Sequence, residues 1–137
     1  MYLLVIGCGR TGSALASLLS KKGADVVVVD SDKSAFKRLS PEFTGFTILG
    51  DATEIEVLKE AKIAKTDLVV VTTDDDNINA MVAQIAKELY EIDKVVVRII
   101  DPQKEVIYQG LDVLTMSPTE LLVDDLMAKI GVWSKEG

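Results

Sequence analysis

The chain has 137 residues, 48% hydrophobic and 5% aromatic, with a formal net charge of −7 and a single cysteine. That length suits one domain with its own aliphatic core. The acidic balance excludes general nucleic-acid binding and attraction to anionic lipid, and one cysteine excludes an intrachain disulfide. No apolar stretch approaches the ~20 residues of a membrane helix, and Met1 leads straight into an apolar strand rather than a secretory signal. The expectation is a soluble, cytoplasmic protein that inserts in no membrane and meets one only through a partner.

Strand and helix signals alternate from end to end. An apolar run, Tyr2 to Ile6, reads as the first strand, followed by a glycine turn and a helix from Thr11 to about Lys22 that Gly23 ends. Val26 to Val29 is a strand of the kind buried on both faces of a parallel sheet. A helix is expected near Lys33 to Leu39, stopped by Ser40-Pro41, then a short strand at Phe46 to Leu49. Thr53 and Glu56 have the spacing of a capping box, which predicts a helix from Thr53 to about Ala61. Leu68 to Thr72 is the fourth strand. Ile78, Met81, Val82, Ile85 and Leu89 then recur on one face of a helix from about Asp76 to Tyr90. Val95 to Ile100 is the fifth strand, closed by Asp101-Pro102 and followed by a helix to Gly110. Val113 to Met116 is the sixth, and a last helix runs from about Thr119 to Ile130, behind Ser117-Pro118. Trp133 in the short tail is expected to pack on something. Right-handed crossovers make this an α/β fold: a Rossmann-type, doubly wound, six-stranded parallel sheet of order 3-2-1-4-5-6 with a C-terminal helix.

The most informative feature is Gly7-Cys8-Gly9-Arg10-Thr11-Gly12 between the first strand and helix, with Asp30 closing the second strand. Each element has its own task in holding an adenine dinucleotide or nucleotide. Gly7 permits the tight turn, Gly9 the approach of a pyrophosphate, and Gly12 the packing of helix on sheet. The N–H groups at the start of the helix, around Thr11, attract phosphate. Asp30 can accept ribose hydroxyls and would repel a 2′-phosphate, so NAD(H), ATP, ADP or AMP is favoured and NADP disfavoured. Lys33 tempers that repulsion. The alternative for Asp30 is an N-cap, a role that Ser31 or Asp32 can also fill.

Further candidates lie at the carboxyl ends of later strands. Asp51 can bond an adenine amino group with Ala52 against the ring and Thr53 beside them, or simply form a turn and a helix cap. Thr72, Thr73 and Asp74 end the strand beside the first, at the switch point where ligands bind. Asp75 and Asp76 read as caps of the following helix. Arg10 can reach a phosphate of its own ligand or one across a subunit interface, or stay solvated. Arg98, inside an apolar strand, needs a carboxylate or a phosphate partner. Cys8 reads as a small filler of the loop.

Taken in order, Gly7-x-Gly9-Arg10-Thr11-Gly12, Asp30, Gly50-Asp51-Ala52-Thr53, Thr73-Asp74-Asp75-Asp76 with Asn79, Arg98 and Ser117-Pro118 resemble the RCK/KTN domain of the TrkA N-terminal type. The resemblance covers about residues 1–131. It implies a regulatory subunit of a potassium transporter or channel, bound as a dimer or higher ring to a membrane partner and gating transport on nucleotide exchange. It implies that Gly7, Gly9, Arg10 and Gly12 hold phosphates, Asp30 the ribose, and Asp51, Ala52 and Thr53 the adenine. The smaller C-terminal lobe of that family is not expected in residues 1–137, which read as a single domain.

A ligand sensor rather than an enzyme is expected, because the chain has no histidine and the nucleotide lobe uses all of its length, leaving no substrate region. The alternative is a small NAD-dependent oxidoreductase or its cofactor-binding subunit. Leu122, Leu126 and Ile130 form a ridge on the last helix, which predicts a self-associating face or, alternatively, packing on its own sheet.

Overall fold

A computed structural model describes residues 1–131; Trp133 lies outside the described residues. Six strands, β1 (Tyr2–Ile6), β2 (Asp25–Asp30), β3 (Phe46–Leu49), β4 (Leu68–Val71), β5 (Lys94–Arg98) and β6 (Leu114–Met116), form one sheet. Its order is β3-β2-β1-β4-β5-β6, and every pairing is parallel. β1 lies between β2 and β4, so the chain reverses direction across the sheet at that point and opens a crevice beyond the strand ends.

Among the described residues four α-helices flank the sheet: α1 (Arg10–Lys21), α2 (Ile55–Glu60), α3 (Asp76–Gln84) and α4 (Pro118–Ile130). Alternation along the strands gives each face its own core. Leu4, Ile6, Val69, Val71 and Val97 pack with Leu58, Val82 and Ala86 from the α2 and α3 side. Leu3, Val5, Val26 and Val28 pack with Ala16 from α1 on the other face. α1 buries only small residues, Gly12, Ser13, Ala16 and Ser20, and so lies close against the strands.

Several local expectations are corrected. The helix after β2 is a 3-10 helix, Lys33–Arg38, capped by Asp32, whose carboxylate accepts the Ser34 N–H at 3.0 Å. The capping box at Thr53 and Glu56 does not form: Thr53 gives both its N–H (2.9 Å) and its hydroxyl (2.7 Å) to Asp51, and α2 begins at Ile55 without a side-chain cap. Residues 85–89 continue α3 as a π turn. The segment after β5 is a 3-10 helix, Pro102–Tyr108, capped by Asp101. α4 starts at Pro118, capped by Ser117, and no residue of it is buried; Leu122 is 60% and Leu126 50% exposed. Its apolar ridge therefore does not pack on its own sheet.

Candidate functional site

The glycine loop is built from three different demands on three glycines. Gly7 has φ +101°, and a Cβ there would stand 3.0 Å from the Thr72 carbonyl carbon and oxygen, so strand β4 leaves room only for hydrogen. A Cβ on Gly12 would come 2.0 Å from the Gly7 carbonyl oxygen. Gly9 differs: nothing lies within 4 Å of the place a Cβ would take. The fold itself does not need glycine at that position, and the open space lies over the backbone at the mouth of the crevice.

α1 starts at this loop with no side-chain acceptor for its first N–H groups and no acid in its first turn. α3 and α4 satisfy theirs internally, Asp75 accepting from Asn77 and Ile78 and Ser117 from Glu120, whereas α2, like α1, starts without a side-chain cap but carries an acid, Glu56, in its first turn. The amides at the start of α1 are therefore available to an anion.

Asp30 stands beside them. One carboxylate oxygen accepts the Cys8 N–H at 2.7 Å and the other the Asp32 N–H at 2.8 Å. The N-cap alternative is thus removed, since Asp32 fills that role and Asp30 ties strand β2 to the glycine loop. An ionised carboxylate has about four acceptor sites, and two backbone bonds leave it capacity for hydroxyl donors. Asp51 is fixed in a tight turn. The Thr53 hydroxyl, then the Thr53 N–H, hold its carboxyl below the usual carboxylate range. The Cys8 thiol is buried, donates to the Ala35 carbonyl at 3.4 Å, and is pushed up by burial and then by the charge of Asp30.

The crevice encloses about 390 Å³ and brings together Gly7, Gly9, Asp30, Ser31, Asp51, Ala52, Thr72, Thr73, Asp74 and Arg98. Arg10 and Thr11 project exposed from the first turn of α1, outside its walls, and Gly12 lies beneath them. Lys33 is exposed at the start of the 3-10 helix, and Thr53 acts on the crevice through Asp51. Arg98 also faces a neighbouring cavity of about 410 Å³ with Thr11, Leu121 and Leu122 at the foot of α4. Its Nε and the Thr72 hydroxyl are buried with no hydrogen-bond partner among the described residues. Two unsatisfied polar atoms from crevice residues fit a polar, anionic guest.

Sequence reasoning missed Asp32, Arg38 and Ile78 on the crevice wall. For Arg38 the available signal was a cation in the last turn of the short helix after the acid. It also missed what holds the floor. Asn79, fully buried, accepts from the Thr73 N–H and hydroxyl and donates to the Thr73 carbonyl (3.1 Å) and the Arg98 carbonyl (3.0 Å). Asp76 does not cap its helix as expected; it accepts the N–H groups of Ile100 (2.8 Å) and Asp101 (3.0 Å).

The geometry is that of a dinucleotide-type crevice, and the sequence places it in a family. The TrkA-N domain family matches residues 3–117. The chain belongs to the TrkA-N family. It is 32% identical over 130 residues to the Trk system potassium uptake protein TrkA of Streptomyces coelicolor, covering 95% of this chain and 58% of that protein. It is 32% identical over 109 residues to a TrkA homologue of Pyrococcus abyssi, covering 80% of this chain and 48% of that protein. The chain thus spans about half the length of the curated relatives it matches. Solved structures agree with the TrkA-N fold. GsuK bound to ADP superposes with a TM-score of 0.75 at 26% identity, covering 91% of this chain and 32% of that one. A structure of the GsuK channel bound to NAD gives the same score and identity over 91% of this chain and 22% of that one. The TrkA-N domain of inner membrane protein ybaL from Escherichia coli has the same fold, with a TM-score of 0.83 at 16% identity over 94% and 96% of the two chains. Among the described residues no helix is long and apolar enough to cross a membrane, and no group of three or more metal-ligating side chains occurs.

Proposed function

We propose that this domain is the nucleotide-sensing lobe of a regulator of potassium transport, binding NAD(H) or an adenine nucleotide (ATP, ADP or AMP) in the crevice. The observation that carries the reading is the uncapped start of α1 opening on free space over Gly9, directly beside the fixed carboxylate of Asp30. The amides of Gly9, Arg10, Thr11 and Gly12 would hold phosphate, helped by the guanidiniums of Arg10 and Arg98. Asp30, flanked by Ser31 and Lys33, would hold the ribose and disfavour NADP. Asp51 and Ala52, braced by Thr53, would border the adenine, and Thr72, Thr73 and Asp74 would close the far wall.

Regulation follows by linkage: ligands that prefer different lobe arrangements shift a partner by their difference in affinity. The partner is a membrane potassium transporter or channel subunit, with this lobe at its cytoplasmic face. Its relatives named for potassium uptake and the GsuK channel support that choice. The exposed ridge of α4 joins two copies of the lobe. The described residues act as a single nucleotide-binding lobe.

Calorimetry with ATP, ADP, AMP, NAD and NADP tests the ligand. At least one adenylate or NAD binds, NADP binds more weakly than NAD, and Arg10→Ala narrows the difference between ATP and AMP. No binding at millimolar concentration, with no rise in melting temperature, overturns the reading. Sedimentation of Leu122→Asp/Leu126→Asp tests the pairing; an unchanged mass removes it.

A further inference from the structure

A second cavity, of about 340 Å³, opens at the amino end of the sheet, away from the crevice. It arises from a mismatch of lengths. α2 has 6 residues, or about 9 Å of helix, whereas β2, also of 6 residues, spans about 20 Å. α2 starts just after Asp51 at the carboxyl end and runs out before the strands begin. The side chains that alternation places on this face at the amino end therefore meet only the short 3-10 turn Ile63–Lys65. Tyr2 is 53% and Phe46 73% exposed, and half-buried Val27 pairs in register with Phe46 between them.

The facing wall is the segment that follows α2, where Lys62 holds the left-handed φ of 63° and Lys65 follows one turn on. Neither ammonium is paired with a carboxylate among the described residues, where the ion pairs are Lys59–Glu56, Lys87–Asp112 and Lys129–Asp125. Among the described residues Asp25 is the one carboxylate lining the cavity, and Asp67 beside it is engaged by the Tyr2 N–H at 2.8 Å, which leaves the two ammonium groups the unpaired charges of this wall. An apolar, aromatic floor of small-ligand size with a few convergent polar groups is the form of a binding pocket; such pockets hold about 300–1,000 Å³. The two unpaired ammonium groups are donors for an anionic group.

We infer that this cavity is a second ligand site, for a small organic monoanion with a flat apolar body. The ring would rest on Tyr2, Val27 and Phe46, and the carboxylate or sulfonate would meet Lys62 and Lys65. The site shares no residue with the crevice, so it stands whether or not a nucleotide binds there.

The probe is 1-naphthoate, titrated into the whole chain and followed by amide chemical shifts. Saturable shifts are expected at Leu3, Val27, Phe46 and Lys62, with Gly9 and Asp30 unmoved. Lys62→Gln/Lys65→Gln and Lys62→Glu/Lys65→Glu, each checked for an unchanged melting temperature, weaken binding about tenfold or more. Neutral 1-naphthalenemethanol binds correspondingly more weakly. Shifts confined to α4, equal affinity for the neutral probe, or no saturation at low-millimolar ligand overturns the proposal. So does a change of the Val27 and Phe46 amides on simple dilution, which would make this face a contact between copies of the chain.

Discussion

α1 and α4 are helices of nearly equal length, 12 and 13 residues, with opposite habits. α4 is complete at both ends by its own chain: Ser117 caps its start, Pro118 occupies the first turn, and Gly131 closes it at φ 69°. Yet it buries nothing. α1 is pressed against the sheet through small residues, and its start has no side-chain cap. Local signals make a helix, while contact with the rest of the fold decides what it is for. Of the two, the helix seated on the sheet is the one whose free end faces the crevice, and the self-sufficient one leaves its apolar side exposed.

Substitutions can break that contrast. Gly12→Ala has the largest expected effect, because its methyl would meet the Gly7 carbonyl at 2.0 Å. A loss of about 3 kcal/mol in denaturant unfolding is expected, and a wild-type midpoint would refute close seating of α1. Gly9→Ala, with open space around it, should leave the midpoint almost unmoved while weakening the best-binding adenylate about tenfold, a change of about 1.4 kcal/mol in calorimetry. Equal effects on stability and binding would erase the distinction between the two glycines. Ser117→Ala removes the α4 cap and should cost about 1 kcal/mol of helix stability, read as faster amide exchange in residues 118–122. Leu126→Asp, on the exposed side of α4, should change the unfolding free energy of the monomer by less than about 0.5 kcal/mol; a core-sized loss would mean that α4 packs on its own lobe after all.

The smallest expected effect sharpens the α1 side. Burial raises the pKa of the Cys8 thiol, so the fold favours the protonated form. That contribution is fully present below the ordinary thiol value and is lost as pH rises from there through the raised native value. Cys8→Ser should flatten the decline of stability above pH ~9, measured as melting temperature against pH.

The sheet was legible because valine runs such as Val26 to Val29 fit little but a strand buried on both faces, and the glycine loop because its spacing is tied to a turn. Asp30 was legible as a crevice residue by position. Its bond to the Cys8 amide was not, because that contact crosses from β2 to the end of β1. Thr53 and Glu56 misled, since the same hydroxyl that can cap a helix here serves the Asp51 turn, and a sequence does not say which neighbour wins. Arg38 escaped because its place on the crevice wall depends on a 3-10 rather than an α-helical turn. The pattern of the α4 ridge fitted both a self-associating face and packing on its own sheet, and its exposure in the fold removes only the second.

Asp76 and Asn79, one turn apart on α3, fasten two pieces of backbone by hydrogen bonds: Thr73 after β4, 6 positions away, and residues 98–101 at the end of β5, 19 to 25 positions away. The consequence is directional. On partial opening, the β4–α3–β5 unit should come apart last and as one block, while α4 frays first. Any motion that a bound guest transmits would then travel by tilting that block whole, not by bending it.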